Sequence, residues 1–258
     1  MKRRGKRKRR LRLSWLLTAL ALAAGLWLLR SRLPKILGLR TLQGSQLATE
    51  LTLVPAGSIP NMGLEIPPYT GETVTVLADN QPGFGPDFPV YEGSYAHYSE
   101  LDALGRSGAA MACIGLENMP LEPRPPMDES LRPVGYRNAV YEDLIEDRFL
   151  YNRCHILGYQ LSGDAGDLHN LFTGTRELNV AGMLPYENRV AACLREQGGH
   201  VLYRVTPRYQ DRELVPRDVE LEAWSVEDHG KALCFHVFVH NVQPGIVIDY
   251  RTGESRRA

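Results

Sequence analysis

The chain has 258 residues, 43% hydrophobic and 23% charged, ordinary globular values that exclude a low-complexity or bulk-disordered polymer. Its formal net charge of zero averages two unlike parts: the first 40 residues hold 13 Lys or Arg and no acid, which leaves 17 basic against 30 acidic side chains in the rest. One part reads as a basic targeting segment and the other as an acidic domain.

In chain order, residues 1–12 are mostly Lys and Arg, and Leu13 to Leu29 form an uncharged Leu/Ala-rich run with Trp15 and Trp27 near its ends. As a helix this run reaches roughly 26 Å, enough for a thin hydrocarbon core. The expected organisation is a cytoplasmic segment at 1–12, a transmembrane signal-anchor at 13–29, a stalk at 30–65 and an extracytoplasmic domain at 66–258. A cleaved signal peptide, with the domain secreted, is the rival reading; the alanines at 19, 21, 23 and 24 lie inside the apolar run rather than after it.

Beyond the stalk, Glu72–Val76 alternates like an edge strand, Ala109–Gly115 reads as a buried strand and the Pro-rich Leu121–Pro133 as loop. Leu144–Tyr159 carries strand alternation that ends in polar residues. Glu177–Gln197 has apolar residues at steps of three and four, the helix pattern, with Pro185 expected to kink or divide it near Met183. Gly198-Gly199 stops it. Three period-2 segments follow, His200–Thr206, Val219–Val226 and Ala232–Val242, and Gly245–Tyr250 adds a short strand. The fold class is α+β, an antiparallel sheet packed with one long helix.

Four cysteines (Cys113, Cys154, Cys193, Cys234) lie far apart, with no C-x-x-C pair to suggest structural zinc; disulfides and free buried thiols both remain open. His236 and His240 share a face of the last long strand, which reads as a sheet face with two exposed histidines rather than a zinc site.

The densest polar cluster runs from Tyr151 to Glu187 and holds Asn152, Arg153, His155, Asn170, Arg176, Asn179 and Glu187. Phosphodiester hydrolysis needs a base for water, a cation for the developing charge and a guanidinium for the non-bridging oxygens. His155 titrates near neutrality and suits the base. Arg153, two residues earlier on a strand, shares its face. Asn179 offers the oxygen that a hard Mg²⁺ takes, Asn170 precedes the helix, and Glu187 lies a little over two turns beyond Asn179. Taken singly, each residue has a structural reading as core histidine, cap or surface charge. Cys154 and His155 adjoin, but strand neighbours point to opposite faces, which argues against a thiol hydrolase.

The run from Tyr151 to Leu161 (YNRCHILGYQL), with the spacing onward to Asn170, Asn179 and Glu187, resembles the Asp-Arg-Gly-His signature of the DNA/RNA non-specific endonucleases of the ββα-metal fold. It is most similar to the membrane-anchored DNA-entry nucleases of Gram-positive bacteria, over about Tyr98 to Gly245. The resemblance implies a ββα-metal core, hydrolysis of DNA and RNA, His155 as general base and Asn179 as direct ligand of Mg²⁺, with Mn²⁺ as substitute. It further implies Arg153 on the scissile phosphate, and Asn170 and Glu187 shaping the surrounding shell. Two positions depart from the signature: Asn152 stands for its Asp, and Cys154 for its Gly. The competing class is a membrane-tethered nucleic-acid-binding module without activity, to which the acidic domain gives weight because phosphate binding calls for basic surface.

Overall fold

The computed structural model describes the backbone of Thr52–Val54 and residues 65–84, 93–137 and 139–258. The apolar run at 13–29 lies outside the described residues, and among those described no helix is long and apolar enough to cross a membrane.

Period-2 patterning builds a seven-stranded sheet in the order β1-β3-β4-β7-β8-β9-β2. Its strands are β1 (Thr52–Val54), β2 (Val74–Val76), β3 (Tyr95–Ser99), β4 (Ala110–Ile114), β7 (Val201–Arg208), β8 (Asp218–Ser225) and β9 (Cys234–His240). Every pairing is antiparallel except β1 with β3. The expected edge strand at 72–76 is β2, and the expected buried strand at 109–115 is β4, all five of whose residues are buried. Thr52–Val54, in the stretch read as stalk, supplies the other edge. A two-stranded hairpin, β10 (Ile246–Asp249) and β11 (Glu254–Arg257), closes the chain.

Alternation sorts the sheet into two faces. Tyr203, Val205, Val219, Leu221, Ala223, Phe235, Val237 and Val239 point to one side, where they pack with Val190, Ala191 and Leu194 of the long helix in a single apolar core. The other side carries charge. By register, Arg204, Glu222 and His236 form one row, and Arg208, Asp218 and His240 another. All six are buried. His236 and His240 therefore share a face as expected, but it is a covered face and not an exposed one. Residues 75–84 lie across it: the Gly83 N–H donates to Glu222 (2.7 Å), His236 Nδ1 meets the Gln81 carbonyl (2.9 Å), and Thr75 Oγ1 meets His240 Nε2 (2.9 Å).

A second hairpin stands apart from the main sheet: β5 (Tyr151–His155) pairs antiparallel with β6 (Leu171–Thr175), placing His155 opposite Leu171. The strand expected across 144–159 is thus confined to five residues, because Leu144–Leu150 is a run of turns and a short helix, α1 (Tyr159–Ser162), begins at the far end. From β6 the chain enters a wide π-type turn, Leu178–Met183, and continues as helix α2 (Leu184–Gln197). The expected helix at 177–197 is present. Its irregularity lies where Pro185 suggested, and the wide turn places Pro185 in the first turn of α2, where its missing N–H costs least. Gly182 permits this turn to lie on the sheet, since a Cβ there would come 2.1 Å from Val239 Cγ1.

Candidate active site

Hairpin and helix together form a ββα unit whose open side is a cleft of about 590 Å³. Strand β5 aims Arg153 and His155 at it, and the π-type turn brings in Asn179. Wide turns of this kind concentrate at functional sites because they redirect one side chain without ending the helix. Asn152 lines the cleft as well. Asn170 and Glu187 do not; both lie behind the turn that follows His155.

His155 is 8% exposed, and its Nε2 lies 3.3 Å from the Ala165 carbonyl oxygen. A carbonyl only accepts, so this contact puts the proton on Nε2 and leaves Nδ1 with a free lone pair. Burial lowers the His155 pKa, and the guanidiniums of Arg124 and Arg153 push it further, to about 4. The imidazole is neutral at physiological pH. Arg153 donates to the Asp128 (2.5 Å) and Leu131 (3.2 Å) carbonyls, which fastens the Pro-rich loop along one wall. That loop also delivers Arg124, which sequence reasoning passed over. The available signal was a single arginine between Pro123 and Pro125-Pro126, a cation on a stiffened loop.

Asn170 is fully buried. Its Oδ1 accepts from the Leu157 N–H (2.8 Å), while its Nδ2 donates to the Leu157 carbonyl (3.2 Å) and to Asp164 Oδ2 (2.8 Å). It clamps the turn that carries the chain away from His155. Glu187 meets the same turn from the helix side: a Cβ on Gly158 would lie 2.7 Å from its Oε2, so only glycine lets the carboxyl come this close. Burial raises the Glu187 pKa to about 7, against the opposing pull of Gln160 and Arg124. Arg176, at the start of the helical segment, pairs with Asp147 on the cleft rim.

The Cys154 departure from the expected signature is accommodated. Cys154 sits in extended backbone within β5, not at positive φ, and its sulfur lies 2.5 Å from the point where a Cβ on Gly174 would fall. Burial pushes its thiol pKa well up. That leaves it a space-filling thiol beside the base. All four cysteines are free.

Two places could be considered for a metal. The Asn179 carboxamide faces the cleft with no protein hydrogen bond among the described residues, leaving its oxygen available. Glu220, Glu222 and His236 on the far face of the sheet also place donor atoms within 4.8 Å of one another. Arg204 binds Glu222 through two nitrogens, Arg208 binds Glu220 (2.6 Å), and His236 Nε2 lies 2.7 Å from Glu220. Burial pulls the His236 pKa down, but Glu220, Glu222 and the Gln81 carbonyl outweigh it and raise it above the usual value. A cation there would have to displace two guanidiniums, so this set fits an internal ion-pair ladder rather than a metal.

The DNA/RNA non-specific endonuclease family matches residues 89–227. NucA from Streptococcus agalactiae with magnesium bound is 26% identical, with a TM-score of 0.64 over 72% of this chain and 88% of that one. Its metal-free form is 27% identical, with a TM-score of 0.62 over 72% and 87%. Sda1 nuclease with bound zinc shares the fold at 24% identity, with a TM-score of 0.58 over 72% of this chain and 97% of that one.

Proposed function

The chain belongs to the DNA/RNA non-specific endonucleases, and from that premise we propose that it cleaves phosphodiesters with His155 as general base beside a Mg²⁺ ion held by Asn179. The observation that carries this reading is the convergence of a neutral imidazole, an unpartnered carboxamide and a guanidinium on one cleft of a ββα unit. Asn179 is the one direct protein ligand, suited to a hard ion that keeps most of its waters. Mn²⁺ takes the same oxygen donor. When bound, the ion supplies positive charge against the crowded phosphate oxygens.

The protein's own groups do the rest. Water attacks phosphorus, His155 Nδ1 takes its proton, and the bond from phosphorus to the leaving sugar oxygen breaks as that oxygen departs with the electron pair. Arg153 and Arg124 steady the non-bridging oxygens. Both guanidiniums also depress the His155 pKa, so an anionic phosphate that neutralises them raises it. The base therefore strengthens when substrate is in place. Asn170 and Glu187 act as positioning residues, through the turn at 156–158. Since these contacts address phosphate and not base edges, sequence specificity is low.

NucA was crystallised with magnesium bound, and a divalent metal at Asn179 extends that property to this chain. We also propose that residues 13–29 anchor the protein, with 1–12 in the cytoplasm and the nuclease domain outside, β1 at Thr52–Val54 belonging to that domain and not to the stalk. The basic cluster ahead of the apolar run supports this, and protease accessibility on intact cells tests it.

The deciding experiment is degradation of plasmid DNA and of RNA by the purified chain, in Mg²⁺ or EDTA, beside His155→Ala. Metal-dependent loss of both substrates, abolished in the variant, supports the assignment. Intact substrates across pH and several divalent metals, from folded protein, would leave only a tethered binding module.

A further inference from the structure

The cleft is longer than one phosphate and one ion require. From Tyr151 to His155 the strand covers about 13 Å, four steps of about 3.3 Å between its five residues. The His155 end is basic. The opposite end, where β5 begins, is lined by Tyr136, Phe149 and Tyr151. Phe149 is 37% exposed, and among the described residues it is the one exposed large apolar side chain that lines this cleft.

An exposed phenylalanine held rigidly in a substrate cleft needs an explanation that a scattered surface residue does not. Its backbone is fixed, since Phe149 bridges Val140 and the next residue's N–H donates to the Ala139 carbonyl (3.0 Å). The Arg148 guanidinium carbon lies 4.8 Å from the centre of the Phe149 ring. Guanidinium planes and aromatic rings both stack on nucleobases. Asp147, two residues before Phe149, lines the same rim with its charge offset by Arg176, which leaves the uncharged ring face of Phe149 as the surface on which a base can stack.

We propose that the Tyr136–Phe149 end of the cleft is a base-stacking subsite that receives an unpaired nucleobase next to the scissile phosphate, so that single strands are held better than duplex. The proposal rests on the hydrolytic reading of the cleft. A paired base keeps its faces inside the helix stack and cannot reach the ring without being flipped out. An unpaired base offers its π-face freely.

The test measures binding in EDTA, which separates it from catalysis. A single-stranded oligonucleotide carrying 2-aminopurine, and the same oligonucleotide annealed as duplex, are titrated with wild type, Phe149→Ala and Phe149→Trp. The expected result is quenched fluorescence on the single strand. The single-strand-to-duplex affinity ratio should fall about 5- to 150-fold in Phe149→Ala, the range for one base on one ring, and be retained in Phe149→Trp. Equal losses on both substrates, or no quenching with wild type, overturn the subsite. A chain that binds with quenching but hydrolyses nothing in Mg²⁺ overturns the catalytic reading and leaves the subsite standing.

Discussion

Replacing Asn170 by alanine removes three hydrogen bonds from a fully buried position. The Leu157 carbonyl keeps Ser162 Oγ at 3.3 Å, and Asp164 keeps the Gly166 N–H at 3.0 Å. The Leu157 N–H keeps nothing, and an unsatisfied buried donor costs about 1–3 kcal/mol. Losing one bond to the Asp164 carboxyl adds about 1.5–3 kcal/mol, so the variant should be destabilised by about 3–5 kcal/mol in all. For a domain of this size that corresponds to a fall in Tm of about 10 °C. Urea unfolding at pH 7 measures it, the midpoint dropping while the slope with denaturant stays constant. Activity should fall in parallel, because the turn that follows His155 is no longer held. A loss below about 1 kcal/mol, together with markedly weaker Mg²⁺ binding, would refute the clamp and move Asn170 into the shell of the metal.

Four further outcomes are expected. The acid limb of kcat/KM, which reports the free enzyme, should lie near pH 4, the lowered His155 value, and not near 6.5. Because the unfolded chain takes up this proton below about 6.5 while the native state resists until about 4, stability present above that window should be lost as pH falls through it, by about 3 kcal/mol. Comparing urea midpoints at pH 7 and 4.5 for wild type and His155→Ala isolates that share. Arg124→Ala should raise KM by about 10- to 100-fold for a lost charged contact and move the acid limb to higher pH, while Arg124→Lys keeps the limb low; an unmoved limb in the alanine variant contradicts the assignment. Glu222→Ala removes the carboxylate that binds buried Arg204 through two nitrogens and should cost about 3–5 kcal/mol by chemical denaturation, with activity per folded molecule little changed because the ladder lies on the far face of the sheet.

The strands with clean alternation and the helix with three-and-four spacing were legible in the sequence because one of their faces is apolar. Strand β6 was not. All five of its residues are buried, so Leu171–Thr175 has no alternation to read, and Gly174 reads as a break. The charged side of the sheet misled in another way, since Glu220, Glu222, His236 and His240 occupy the polar phase of their strands and alternation alone assigns that phase to solvent. Only tertiary structure reveals residues 75–84 lying across them. At the site, Arg153, His155 and Asn179 were visible through local spacing. Arg124 joins through a loop without periodicity, and the clamping geometry of Asn170 depends on a partner thirteen residues away in sequence.

The hairpin β5–β6 belongs to no larger sheet, yet it is fastened to the end of β9. Asn241 accepts from the Thr175 N–H (2.8 Å) and donates to the Thr173 (3.1 Å) and Pro216 (2.8 Å) carbonyls, and the Thr175 hydroxyl donates to Val242 (2.6 Å). Gln243 accepts from the Glu177 N–H (3.1 Å) at the mouth of the helix. Synthesis runs from the N-terminus, so the ribosome has made the base, the metal ligand and both arginines long before the residues that lock them together. By this hypothesis the nascent chain is inactive toward nucleic acid until residues 241–243 emerge. Ribosome-arrested chains test the point: one exposed only through His240 should leave RNA intact, and one exposing Ala258 through a linker should degrade it. Equal cleavage by both would show that the hairpin organises its chemistry without that fastening.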